Sequence, residues 1–252
     1  MNLRPAVAAL GLLLSTSASA QTVYTGSTIH DLPTGGNVYA LLETAQPEIA
    51  TDQFNSGGLN GGDRDRMGAI LASWTQTLYR IGDLSISSPY DGRAMIFPGT
   101  AWLDGMSASM WHTGVDASAP GLSVVMRPRV ATADKFSGSI EAMATGGTLA
   151  RSSPDYLPPA ITQLEHFNSV QGFIQGAAKG GRLQMMLGGA SSGSKILERN
   201  VNLRETRTTS GFLQGNWKIS DASSAQFLVW AQNHALHVQL SLIHISEPTR
   251  PY

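Results

Sequence analysis

The chain has 252 residues, with 17 Lys and Arg against 18 Asp and Glu, a formal net charge of -1 and no cysteine. That balance offers no electrostatic case for nucleic acid, since Lys and Arg form no basic stripe. The lack of cysteine excludes disulfides and thiolate metal sites. Charged residues make up 14%, below the roughly 25% of ordinary soluble domains, and glycine reaches 27 residues. Such a balance suits strands with one apolar and one weakly polar face.

At the N-terminus, Arg4, the apolar run Ala6 to Leu14 and the small residues Ala18-Ser19-Ala20 describe a secretory signal peptide over 1–20. The apolar run is far short of the roughly 20 residues that a membrane-spanning helix needs. Residues 21–31 have little apolar content and read as an exposed leader. Thr34 or Asn37 can cap a short helix whose Val38, Leu41, Leu42 and Ala45 share one face, with Pro47 limiting its extent. Asn55 to Gly62 is too glycine-rich for a helix and reads as a loop. Thr77 to Ile81 is a β-rich run, Gly82-Asp83 a turn, Leu84 to Ile86 a second short strand, and Ser88 to Gly92 a loop. Met106 to Trp111 and Leu122 to Met126 are further strands. In the latter Leu122, Val124 and Met126 alternate with Ser123, Val125 and Arg127, and Pro128 ends the ladder for want of an N–H.

From about Asp134 onward one alternating segment follows another. Gly138, Ile140, Ala142 and Ala144 alternate with Ser137, Ser139, Glu141 and Met143; Leu183, Met185 and Leu187 follow a Gly180-Gly181 turn; Leu213, Gly215, Trp217 and Ile219 oppose Phe212, Gln214, Asn216 and Lys218. Segments of about 10 residues with apolar-out, polar-in alternation are the sequence form of a membrane β-barrel. Ala150 to Gln163 and Gly193 to Thr206 fit as longer extracellular loops, and Ser220 to Ser224 as a periplasmic turn. LSLIHISEPTR, Leu240 to Arg250, resembles a translated sequencing adapter, so 240–252 is left out of the fold reading and the reading frame is expected to continue differently. A plugged transporter barrel has 22 strands. Residues 135–239 supply about five or six of spanning length.

The block SWTQTLYRIGDLSISSPYDG, Ser73 to Gly92, together with LPTGGNVYALLETAQPEIATD before it and IFPGTAWLDGMSASMWHTGVDASAPGLSVVMRPR after it, resembles the plug domain of TonB-dependent outer-membrane receptors. It is most similar to acidobacterial-type receptors with a Trp-Thr-Gln-Thr stretch before the turn. The resemblance implies an α+β plug domain over 32–134, followed over 135–239 by antiparallel β-strands of an incomplete outer-membrane β-barrel. Trp74, Thr75, Gln76, Thr77, Gly82, Asp83, Pro89 and Tyr90 carry the plug motif, and Thr22, Val23, Tyr24 and Thr25 are the candidate strand for contact with TonB. The implied partners are TonB with its inner-membrane energising complex, outer-membrane lipid and an unidentified small ligand. No catalytic residue, metal or cofactor is implied. The chain departs from the family pattern at Ile70-Leu71-Ala72, at Ile81-Gly82 and at Ser88-Pro89. A non-transporting surface or adhesion receptor on the same scaffold is the alternative.

Other candidate chemistry lacks the structural context it requires. Gly189-Ala190-Ser191-Ser192-Gly193 matches a nucleophile elbow, with Asp221 and His234 or His237 following, but the pattern requires a strand-to-helix turn and here a Gly/Ser loop is expected. His234 and His237, three apart in a strand-like segment, fall on opposite faces rather than around one metal. Asp63-Arg64-Asp65-Arg66 lacks the glutamate of a calcium loop, because Trp74 stands at the twelfth position. Trp102, Trp111, Tyr79 and Tyr90 are ligand-stacking candidates, with core the expected role of the two tryptophans.

Overall fold

The computed structural model describes residues 21–32, 34, 36–51, 66–69, 72–96, 98–110, 121–131, 136–146, 162–178, 180–198 and 202–239. The expected signal peptide, the Asn55 to Gly62 loop, Asp63 to Asp65, Trp111 and the C-terminal stretch lie outside them.

In the first half a five-stranded sheet runs in the order β1-β6-β7-β4-β5, built from β1 (Gln21–Thr25), β4 (Leu78–Ile81), β5 (Leu84–Ser85), β6 (Leu103–Ser109) and β7 (Ser123–Pro128). All its pairings are antiparallel except β4 with β7. The helices α1 (Gly26–Asp31) and α2 (Val38–Ala45) and the small hairpin of β2 (Ile49–Thr51) with β3 (Met67–Ala69) complete this half. Asn37 caps α2 by accepting the Tyr39 N–H at 2.8 Å, and Val38 to Leu42 are all buried. Leu122, Val124 and Met126 are buried while their alternates are not, β7 stops at Pro128, and Gly82 (φ 57) turns β4 into β5. Tyr79, Leu41, Leu42, Met106 and Val124 lie in one apolar core.

The N-terminal segment differs from the expected exposed leader. Residues 21–25 pair with β6, from Gln21 against Ser109 to Thr25 against Gly105, and Thr25 then caps α1. Tyr24 and Ile29 are buried, and the Tyr24 hydroxyl accepts a 2.6 Å hydrogen bond from Gln46 Nε2. Two apolar side chains in a polar stretch, too few to register as a period, tie the segment down once a sheet edge is present to receive it.

The second half is a five-stranded antiparallel meander, β8 (Ser137–Gly146), β9 (Thr162–Ala178), β10 (Leu183–Glu198), β11 (Asn202–Ser220) and β12 (Ser223–Gln239), each paired to the next in sequence. Alternation sorts the side chains. Phe173, Met186 and Phe212 are buried against the first half, whereas Ile140, Ile174, Leu187 and Trp217 stand exposed on the other face. The expected loop from Gly193 to Thr206 is instead paired strand to Glu198 and again from Asn202, through a register that sets Lys195 against Glu205. Strands of 16–19 residues exceed the roughly 9–11 needed to cross a bilayer, so their charged ends continue the ladder beyond the apolar zone. Among the described residues no helix is long and apolar enough to cross a membrane.

Two outcomes follow. Among the described residues β8 and β12 each keep an unpaired edge, which neither lipid nor water accommodates well. The chain expressed as written is therefore expected to aggregate; monodisperse, protease-resistant, membrane-inserted material in a flotation assay would refute this. In a complete barrel, Asn37→Ala should lower plug stability by about 1 kcal/mol in denaturant titration.

Candidate functional site

The plug meets the wall along a seam with an apolar and a polar part. A single 3-10 turn, Thr100–Trp102, carries the apolar part. Trp102 is buried and its ring centroid lies 4.6 Å from Phe212 and 5.0 Å from Trp230, the latter at 64°. Its indole Nε1–H donates to the Gly172 carbonyl of β9 at 3.2 Å, so the polar edge of the ring is satisfied by the wall backbone. Gly188 on β10 makes the approach possible: a Cβ there would lie 2.3 Å from Phe212 and 2.9 Å from the Trp102 Nε1. Phe173, Met186 and Ala131 close the cluster.

The polar part centres on Gln171, which is 4% exposed. Its Oε1 accepts the Ala101 N–H at 3.2 Å, and its Nε2 donates to Thr100 Oγ1 at 3.0 Å and to Glu141 Oε2 at 2.8 Å. The amide fits between two plug glycines, where a Cβ at Gly36 would come within 2.7 Å and one at Gly99 within 2.8 Å. Glu141, on β8, also meets His30 Nδ1 at 2.8 Å, and His30 Nε2 meets the Arg129 guanidinium. A guanidinium only donates, so Nε2 accepts and Nδ1 carries the proton given to Glu141. Arg129 in turn lies over the Phe173 ring at 5.2 Å, and its backbone N–H donates to the Trp102 carbonyl at 2.7 Å. A continuous chain thus runs Arg129, His30, Glu141, Gln171, Thr100, joining α1, the plug turn and the first two wall strands. A cavity of about 300 Å³ opens beside it, lined by His30, Thr34, Glu141, Met143 and Ser169 among others.

The residues expected to carry function are placed as follows. Thr22 to Thr25 lie in β1, an edge strand of the plug sheet with Val23 55% exposed. Burial pushes the Tyr24 phenol above its ordinary value, and Glu48 adds to this while the Gln46 hydrogen bond opposes it. Trp74, Thr75 and Gln76 form a 3-10 turn closed by a capping box, in which Ser73 accepts from Thr75 and Gln76 accepts from the Ser73 N–H. Arg66 stacks on Trp74 at 4.5 Å, and the buried Thr77 hydroxyl donates to the Met67 carbonyl. Gly82 and Asp83 turn the β4–β5 hairpin, and Pro89 and Tyr90 are exposed beyond it. Next to them, desolvation works to raise the Asp91 carboxyl, but hydrogen bonds from Ser88 and the Arg93 N–H, with the Arg93 guanidinium at 2.8 Å, hold it below the usual carboxylate range. None of the plug-motif side chains enters the seam contacts just described.

The other candidates separate. Ser191 sits in mid-strand on β10, 3.3 Å from the Thr209 hydroxyl, where a strand-to-helix turn would be required; the expected Gly/Ser loop is strand because its glycines pair in register on both sides. His234 meets Thr208 at 2.8 Å, and His237 lies opposite Glu205 on the other face. Tyr79 and Trp102 are buried, and Tyr90 is 96% exposed. The sequence reading missed His30, Arg129 and Gln171. Glu141 registered only as a polar alternate of its strand, and no local pattern sets the other three apart.

No protein-family model and no curated sequence matches the chain. Solved structures do. The outer membrane transporter YddB from Escherichia coli superposes with a TM-score of 0.64 at 16% identity, over 88% of this chain and 34% of that one. The siderophore receptor PirA from Acinetobacter baumannii gives 0.60 at 14%, over 86% and 32%. FpvA of P. aeruginosa, in complex with a pyoverdine and iron, gives 0.61 at 13%, over 90% and 26%. The chain therefore has the fold of a plug and adjoining wall strands of outer-membrane receptors, and spans about a third or less of their length.

Loss of the Gln171 amide leaves the Ala101 N–H and the Glu141 carboxylate without their wall partner, at a cost of about 1–3 kcal/mol. In a complete barrel, Gln171→Leu should speed hydrogen exchange across residues 100–102 by about tenfold or more, and unchanged protection would show that the amide does not fasten the plug.

Proposed function

We propose that this chain is the plug and first wall strands of an outer-membrane receptor that takes up a small ligand by energised transport, with TonB pulling on β1. One observation carries the reading: the plug sheet is fastened to the inward face of a meander whose outward face is apolar. In this arrangement the end of the meander at Gly146 and Glu198 would face outside the cell and the end at Leu183 and Ser223 the periplasm, as in barrels of this type. A siderophore, the ligand class named for PirA, is the first to assay.

The seam supplies the mechanism. Opening requires a state in which the plug leaves the wall, and a ligand or partner shifts that equilibrium only by binding the open state better. The hydrogen bonds of Gln171, Glu141 and His30 exchange readily for water once the cavity beside them floods, since a protein hydrogen bond is worth only about 0.5–1.5 kcal/mol net. Burial of Trp102 has no such replacement, and truncating a core tryptophan costs about 3–5 kcal/mol. The polar chain is therefore the part that yields first. It reaches His30 directly after β1, so tension on that edge strand arrives first at the His30–Glu141 contact.

The test exploits a chain without cysteine. Thr22 and Ala108 are paired across β1 and β6, at a separation that antiparallel pairs bring within disulfide range. In the complete receptor, Thr22→Cys with Ala108→Cys should lose energised uptake when oxidised, keep ligand binding, and regain uptake on reduction. Uptake indifferent to the crosslink would dispose of a pulled β1, and ligand retention with no uptake in either state would identify the adhesion receptor.

A further inference from the structure

The cavity beside the polar chain is lined by two hydroxyls that the protein itself leaves unbonded. Thr34 of the plug and Ser169 of β9 both border its volume of about 300 Å³, and they are 3% and 7% exposed. Among the described residues neither side-chain hydroxyl bonds to another group, and neither is sealed from the cavity. Hydroxyls around them are committed: Thr100 to Gln171, Ser194 to Thr206 and Thr208 to His234. Ser210 on β11, 7% exposed, repeats the pattern in an adjoining cavity of about 40 Å³ that shares Gly36, Ser169 and Gln171 with the first. Buried polar groups in native proteins find a partner, so these hydroxyls specify what the cavity takes up.

The rest of the lining narrows the chemistry. Among the described residues no lysine or arginine borders the larger cavity, whereas Asp31 and Glu141 do, which repels an anion. Both ring nitrogens of His30 are already engaged, by Glu141 and by Arg129. A purely apolar occupant would leave Thr34 and Ser169 desolvated and unbonded. Glu141 retains accepting capacity, since its two oxygens take one donor each, from His30 and Gln171, and each has a further lone pair. Ile29, Leu32 and Met143 add apolar surface of which water alone makes no use. The volume lies at the lower end of the roughly 300–1,000 Å³ typical of small-molecule pockets.

We propose that this seam cavity binds one small neutral polyhydroxylated molecule, with its hydroxyls on Thr34, Ser169 and Glu141 and its carbon chain against Ile29, Leu32 and Met143. Such a molecule both donates and accepts, as the two open hydroxyls require, and carries no charge for Asp31 and Glu141 to repel. It touches the plug through Thr34 and the wall through β8 and β9, so it binds the seated state and shifts the equilibrium away from release. It also keeps out the water that would otherwise replace the His30–Glu141 contact. The inference rests on the reading of the first half as a releasable plug.

The complete receptor in mild detergent is titrated with three compounds of one carbon skeleton: neutral sorbitol, anionic gluconate and cationic glucamine. Saturation-transfer NMR reads binding, and hydrogen exchange across residues 100–102 reads how firmly the plug is seated. Sorbitol is expected to bind saturably and to slow that exchange, with gluconate at least about tenfold weaker. Thr34→Val and Ser169→Ala, which remove a hydroxyl with little change of shape, should each weaken sorbitol about three- to tenfold. Heat-modifiable migration checks that both variants are folded and inserted. Slowed exchange without saturation, matched by sucrose, is a general osmolyte effect and overturns the site. Sorbitol binding untouched by either substitution also overturns it, as does tightest binding of glucamine, which would make the cavity a cation site. None of these outcomes bears on the β1 crosslink, so the site can fail while the transport reading stands, and the transport reading fails on its own uptake assay.

Discussion

A strand in hydrocarbon must have every backbone N–H and C=O bonded to a neighbouring strand, because the solvent supplies no partner. The meander of β8 to β12, in which each strand pairs with the next through most of its length, meets that requirement. Pairing in turn fixes two faces by strict alternation. One is apolar and exposed; the other faces the first half of the chain and must be covered or wetted. The plug is what covers it here, and its existence follows from the wall as much as the wall's burial follows from the plug.

The covering is not uniform. Around Trp102 the contact resembles an ordinary protein core, with three rings in mutual contact and Gly188 vacating the space that one of them occupies. Around Gln171 it is a chain of hydrogen bonds that ends on α1. Polar contacts of this kind are specific in geometry and low in net energy. Apolar contacts are the reverse. The proposed transport function would draw on both, with the polar contacts nearest β1.

The sequence made the wall legible because alternation with period two survives translation into strands without help from elsewhere. Gly138 to Ala144, Leu183 to Leu187 and Phe212 to Ile219 sort to the faces their pattern predicts. The α2 helix was equally plain, since its cap and its apolar face are local. Two features were not. Residues 21–25 look like a free polar end until β6 provides an edge, and Gly193 to Thr206 look like a loop until their neighbours pair with them. In both cases the deciding partner lies far away in the chain or across a turn.

By itself, then, the amino-acid order determined the alternation that assigns an apolar face to most of the long strands, and that a mixed region with a short capped helix precedes a run of antiparallel segments, because these depend on neighbours within a few residues. The tertiary structure alone decided that His30, Arg129, Glu141 and Gln171 meet. Arg129 and His30 are separated by 99 residues, and Gln171 and Ala101 by 70. No spacing rule operates over such distances; only the docking of one sheet onto the inner face of another brings a histidine, an arginine, a glutamate and an amide within hydrogen-bonding range.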